Sequence, residues 1–126
     1  MGMILVAVGV AAFGVLYRRF RSGALPDVPD GQFYDDFVRQ SAVPVSMETL
    51  IRLRKRVAKV LGLPPEKLAV DQTYEFLSKR IGYLAELSVA WSDLADEAAE
   101  ARSETGLEPR APATVGELIE DLLQSP

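Results

Sequence analysis

Residues 84–100 read LAELSVAWSDLADEAAE. Leu84, Leu87, Trp91, Leu94 and Ala98 recur at steps of three, four, three and four, the repeat of an α-helix with one apolar face. Glu86, Asp93, Asp96, Glu97 and Glu100 occupy the other faces. A long helix of this kind must cover its stripe with other helices, so the chain is predicted to be all-α. Trp91, the only tryptophan, lies mid-stripe and is expected to be buried against Leu53/Val57 and Leu118/Leu122.

The flanking segments supply the covering helices. Beyond a loop at 103–113, Thr114-Val115-Gly116-Glu117 has the form of a capping box, and Val115, Leu118, Ile119, Leu122 and Leu123 follow as a buried face. On the other side, Asp71 is placed to cap a turn or helix containing Tyr74, Phe76 and Leu77 that ends near Gly82. Ser46 is an N-cap, with Glu48 in the first turn. Leu50, Leu53, Val57 and Val60/Leu61 then repeat at helical steps up to Gly62, with Pro64 and Pro65 just beyond. Arg52, Arg54, Lys55, Arg56 and Lys59 are assigned to the outer face, open to solvent or to anionic lipid headgroups. Phe33, Tyr34 and Phe37 share one face of a short helix that packs on the domain or meets a partner.

At the N-terminus, Met1 to Tyr17 carries no charged side chain. Seventeen helical residues reach about 25 Å, the short end of what crosses a bilayer. Tyr17 followed by Arg18, Arg19 and Arg21 supplies a membrane-interface ring and the cations that favour the cytoplasmic leaflet. The expectation is a single-pass inner-membrane protein with its N-terminus outside and its C-terminal domain cytoplasmic. Its parts are an anchor at 1–21, a juxtamembrane linker at 22–45, and a three- to four-helix bundle at 46–126.

Composition narrows the chemistry. The chain has 126 residues and a formal charge of −4, a balance that argues against nucleic acid as partner. Residues 1–59 hold nine Arg or Lys against five Asp or Glu, whereas 60–126 hold five against thirteen. There is no Cys and no His, which removes thiolate nucleophiles, disulfides, zinc fingers and imidazole relays. The serines have no His to activate them, and Lys79 beside Ser78 lacks the spacing of a Ser–Lys pair. Asp93, Glu97 and Glu100 stand at i, i+4 and i+7, an array that surface helices carry far more often without a metal than with one. No catalytic residue, cofactor site or metal site is expected. The lipid bilayer and a protein partner are the expected associates, the protein docking on Glu86, Asp93, Asp96, Glu97 and Glu100.

From Leu50 to Leu123 the order of parts resembles an acyl carrier protein-like domain. The carrying residues are Val57-Ala58-Lys59-Val60-Leu61-Gly62, the Pro64-Pro65-Glu66-Lys67-Leu68 connector, Asp71, the acidic helix from Leu84 to Glu100, and Thr114-Val115-Gly116-Glu117-Leu118-Ile119. That family attaches phosphopantetheine to the Ser of an Asp-Ser-Leu, and no Asp-Ser pair occurs in this chain. The resemblance therefore implies a relative without the prosthetic group: a membrane-tethered, non-enzymatic docking or scaffold module. The alternative is a single-span structural subunit of a larger membrane complex.

Overall fold

The structure is a computed structural model that describes residues 25–81 and 85–124. Five α-helices occur among these residues: α1 (Asp30–Gln40), α2 (Met47–Leu61), α3 (Tyr74–Ile81), α4 (Ala85–Glu104) and α5 (Val115–Leu122). A single 3-10 turn, Pro65–Lys67, follows α2. α4 packs most extensively on α5, and α2 packs on α1, α4 and α5.

The helix ends follow local chemistry. The Thr49 N–H donates to Ser46 Oγ at 3.2 Å and caps α2. Gly62 ends that helix at φ 76°, a left-handed conformation open to glycine without steric cost. The Gly62 and Leu63 N–H groups turn back to the Lys59 and Ala58 carbonyls, and buried Leu63 seals the turn. Thr73, rather than Asp71, caps α3, its Oγ1 accepting from the Phe76 N–H at 3.0 Å. Thr114 Oγ1 accepts from Glu117 N–H at 3.1 Å, but the Glu117 carboxylate meets Arg110 at 3.4 Å. Only half of the expected capping box is therefore made.

The core draws on every helix. Phe33 and Phe37 of α1, Leu50, Val57, Ala58 and Leu61 of α2, Leu77 and Ile81 of α3, and Val115, Leu118, Ile119 and Leu122 of α5 are all buried. α4 contributes Leu87, Ala90, Leu94, Ala98 and Ala101. Trp91 lies at the edge of this face, partly buried, with its ring 6.0 Å from that of Tyr74. The expectation of a central Trp91 is thus corrected. The stripe centres on the line through Leu87, Ala90 and Leu94, and Trp91 is rotated off it.

Two polar clusters lie inside the bundle. Arg54, placed on the outer face by its charge, is 1 % exposed. Its Nη2 donates to the carbonyls of Val28 at 2.7 Å and Leu68 at 2.8 Å, and its Nη1 to Asp30 Oδ1 at 2.8 Å. The guanidinium lies 4.4 Å from the Phe33 ring centroid, and its Nε–H has no acceptor among the described residues. Desolvation pulls the Arg54 pKa below its ordinary value, against the opposing pull of Asp30. At the other end Asp121, fully buried, accepts from Arg102 Nη1 at 3.1 Å and from Arg110 Nε and Nη2 at 3.0 and 2.9 Å. That hydrogen bonding raises the Arg110 pKa.

The connector between α2 and α3 is stitched to the start of α5. Val115 N–H donates to Gln72 O at 2.8 Å and Gly116 N–H to Val70 O at 2.9 Å, forming an isolated bridge between Thr73 and Thr114. A Cβ on Gly116 would stand 2.9 Å from Val70 O, too close for any other residue without a shift.

Two expectations are corrected. Among the described residues no helix is long and apolar enough to cross a membrane. The longest, α4, has twenty residues but carries Glu86, Asp93, Asp96, Glu97, Glu100 and Glu104. No described helix supports the single-pass transmembrane architecture, the bilayer as partner, the inner-membrane placement or the single-span subunit of a membrane complex, and these expectations are withdrawn. The predicted anchor and its interface residues Tyr17, Arg18, Arg19 and Arg21 lie outside the described residues, as do Gly82 and Leu84. The second correction concerns the acyl-carrier-like bundle of three to four helices. Four helices, α2 to α5, lie within 46–126, but α1, from the segment expected to be a linker, is locked into the shared core through Phe33, Phe37 and Arg54, so the bundle has five helices. Ser78, in α3, is buried and donates to Glu75 O.

Candidate functional site

α4 turns two unlike faces outward and inward. With Leu87, Leu94 and Ala98 facing the core, Glu86, Val89, Asp93, Asp96 and Glu100 project on the opposite side. Their spacing of three, four, three and four places them in one line along the helix. Glu86, Asp93, Asp96 and Glu100 are exposed and form no ion pair among the described residues. Val89, in the same line, is 60 % exposed, the most open of the large apolar side chains described. Four carboxylates around one aliphatic side chain give a surface that attracts cations and offers a small apolar anchor.

Glu97 behaves differently from the other four expected docking residues. Half-buried at the edge of α4, it accepts from Arg56 of α2. The acidic face therefore holds one guanidinium already, from within the chain. Asp93, Glu97 and Glu100 do not converge, and no cluster of three His, Cys, Asp or Glu among the described residues is placed to hold a metal ion.

Across that ion pair lies a second charged face. Arg52, Lys55, Arg56 and Lys59 project from α2, opposite Leu50, Val57 and Leu61. Arg52 pairs with Glu48 at 3.1 Å, but both side chains are largely exposed, so water competes strongly with the pair. Two open clefts flank the ridge. One, of about 280 Å³, is lined by Thr49, Arg52, Leu53, Arg56, Leu122 and Leu123. The other, of about 450 Å³, lies between Lys55, Lys59, Leu63, Pro64, Pro65 and Glu66. These side chains present charge beside apolar surface.

Sequence reasoning missed Val89 and misplaced Arg54. Val89 lies two residues after Leu87 and two before Trp91, out of phase with the apolar stripe, which is the signal that it faces outward. Arg54 lies four residues after Leu50 and three before Val57, in phase with the buried face, which marks it as a core residue despite its charge.

No family model, curated protein or solved structure matches this chain. The acyl carrier resemblance drawn from residues 50–123 is therefore set aside.

Proposed function

We propose that the bundle is a non-enzymatic recognition module that docks a basic helical segment of a protein partner on the outer face of α4. The observation that carries this is the line Glu86, Val89, Asp93, Asp96 and Glu100, exposed along about four helical turns and without a cationic partner among the described residues. A partner helix with Lys or Arg at i, i+7, i+10 and i+14, and an apolar residue at i+3, presents its charges and its apolar contact at matching intervals. Complementary charge of this kind speeds encounter and sets register, while one apolar contact favours a defined pose. The internal Arg56–Glu97 pair supports the chemistry, since it seats a helix-borne guanidinium beside this acidic line.

The experiment is a fluorescence anisotropy titration with a labelled helical peptide bearing Lys at those four positions and one Leu aimed at Val89. The double variant Asp93→Lys/Asp96→Lys is expected to bind at least tenfold more weakly. Val89→Ser, which leaves the charge unchanged, is expected to weaken binding about three- to tenfold, as loss of a small apolar contact does. Equal binding by the charge-reversed protein contradicts the proposal. Normal binding by Val89→Ser reduces the surface to unspecific charge attraction.

A further inference from the structure

The basic and acidic faces of this one chain match each other. Arg52, Lys55, Arg56 and Lys59 on α2 are spaced i, i+3, i+4 and i+7. Asp93, Asp96, Glu97 and Glu100 on α4 have the same spacing. The faces meet at a shared edge, where Arg56 and Glu97 already form an ion pair. That pair uses one member of each set and leaves Lys55, Lys59 and Arg52, whose exposed pair with Glu48 is open to exchange, on one side and Asp93, Asp96 and Glu100 on the other.

We infer that the partner of the α4 face is a second copy of this chain, held in a two-fold dimer that sets α2 of each copy against α4 of the other. This rests on the docking role of α4 proposed above and names its occupant. A two-fold axis near the Arg56–Glu97 edge brings the basic face of each copy over the acidic face of the other, so the contact is satisfied twice and closes at two copies. The six side chains are all exposed, so no buried group has to be uncovered for them to meet. Exposed ion pairs are individually weak and are screened by salt, so the dimer is reversible and salt-sensitive. The overall charge of −4 makes two copies repel at a distance, and only the registered arrangement turns that repulsion into attraction.

Sedimentation velocity on the full chain tests this at low and high salt, about 50 and about 500 mM NaCl. Two double reversals, Lys55→Glu/Lys59→Glu and Asp93→Lys/Asp96→Lys, leave Arg56 and Glu97 untouched, and circular dichroism checks that each remains folded. The expected result is a wild-type dimer at low salt whose dissociation constant rises at least tenfold at high salt. Each reversed variant alone should be a monomer, and the two mixed in equal amounts should form a heterodimer, because both contacts are then complementary again. A wild-type monomer at low salt, mixed variants that stay monomeric, a dimer indifferent to the reversals, or growth beyond two copies overturns the proposal. A monomer that still binds the Lys peptide through α4 removes the dimer and leaves the docking role. A dimer that survives when the peptide fails to compete removes the docking role assigned to α4.

Discussion

The Arg54 guanidinium lies 4.4 Å from the centroid of the Phe33 ring, joining α2 to α1 inside the bundle. It also gathers the carbonyls of Val28 and Leu68, so one side chain ties the entry to α1 and the connector before α3 to the middle of α2. Lys67 adds a neighbouring tie, donating to Leu25 O at 2.9 Å and pairing with Asp27 at 2.6 Å. Segment 25–40 is thereby a built part of the bundle.

Replacing Arg54 with Ala should destabilise the protein by about 3–5 kcal/mol, the range seen when one partner of a buried charged network is removed. Asp30→Asn should cost under about 1 kcal/mol, because the Asn side-chain oxygen still accepts from Arg54 and the position is half exposed, where solvent screens the lost charge. Urea melts followed by circular dichroism read both values. Equal losses for the two variants would mean that the ion pair, rather than the two carbonyls and the ring, is what holds Arg54.

Gly116→Ala should lose about 1–3 kcal/mol, the usual range for forcing extra volume into a packed site. The new methyl group meets Val70 O at 2.9 Å and Val70 Cβ at 3.3 Å, both on the segment bridged to α5. Gly31→Ala is the control, since nothing lies within 4 Å of the position its methyl group would take and the helix gains propensity. A neutral Gly116→Ala would show that the connector gives way freely.

Asp121→Ala should cost about 3 kcal/mol, the lower end for breaking a buried charged network, because Arg102 and Arg110 can turn toward water. The loop joining α4 to α5 should loosen with it, since Arg110 is held there by Asp121 and Arg102 also donates to Glu108 O at 2.7 Å. Faster amide hydrogen exchange in α5 and the preceding loop is the expected readout; unchanged exchange would mean that Asp121 does not clamp the loop.

Leu94→Ala should be more destabilising than Trp91→Ala, with a loss of about 2–5 kcal/mol for a buried leucine. Leu94 is 2 % exposed, whereas Trp91 is only partly buried. Thermal melts of the two variants decide the order, and the reverse order would return Trp91 to the centre of the core.

The parts legible from sequence are those set by local chemistry. Ser46, Gly62 and Thr114 mark helix ends through hydrogen bonds and backbone conformation that involve only near neighbours. The repeats in α4 and α5 reveal buried faces because helical geometry alone fixes which residues share a side. What depends on distant residues is hidden. Charge alone assigns Arg54 to the surface, although its phase puts it in the core, and its carbonyl acceptors lie 14 and 26 residues away. Asp121 likewise sits on a buried face, matched by arginines from α4 and the loop. The candidate site is legible as an acidic line, but not that Glu97 is taken by Arg56 from 41 residues away.

Whether α4 is a recognition surface is decided by a two-dimensional amide NMR titration of isotope-labelled protein with the Lys-bearing helical peptide. Chemical-shift changes should concentrate between Glu86 and Glu100, saturate with peptide, and be absent in Asp93→Lys/Asp96→Lys. Shifts that cluster instead around the clefts beside α2, or a spectrum the peptide leaves unchanged, would contradict a docking role for α4.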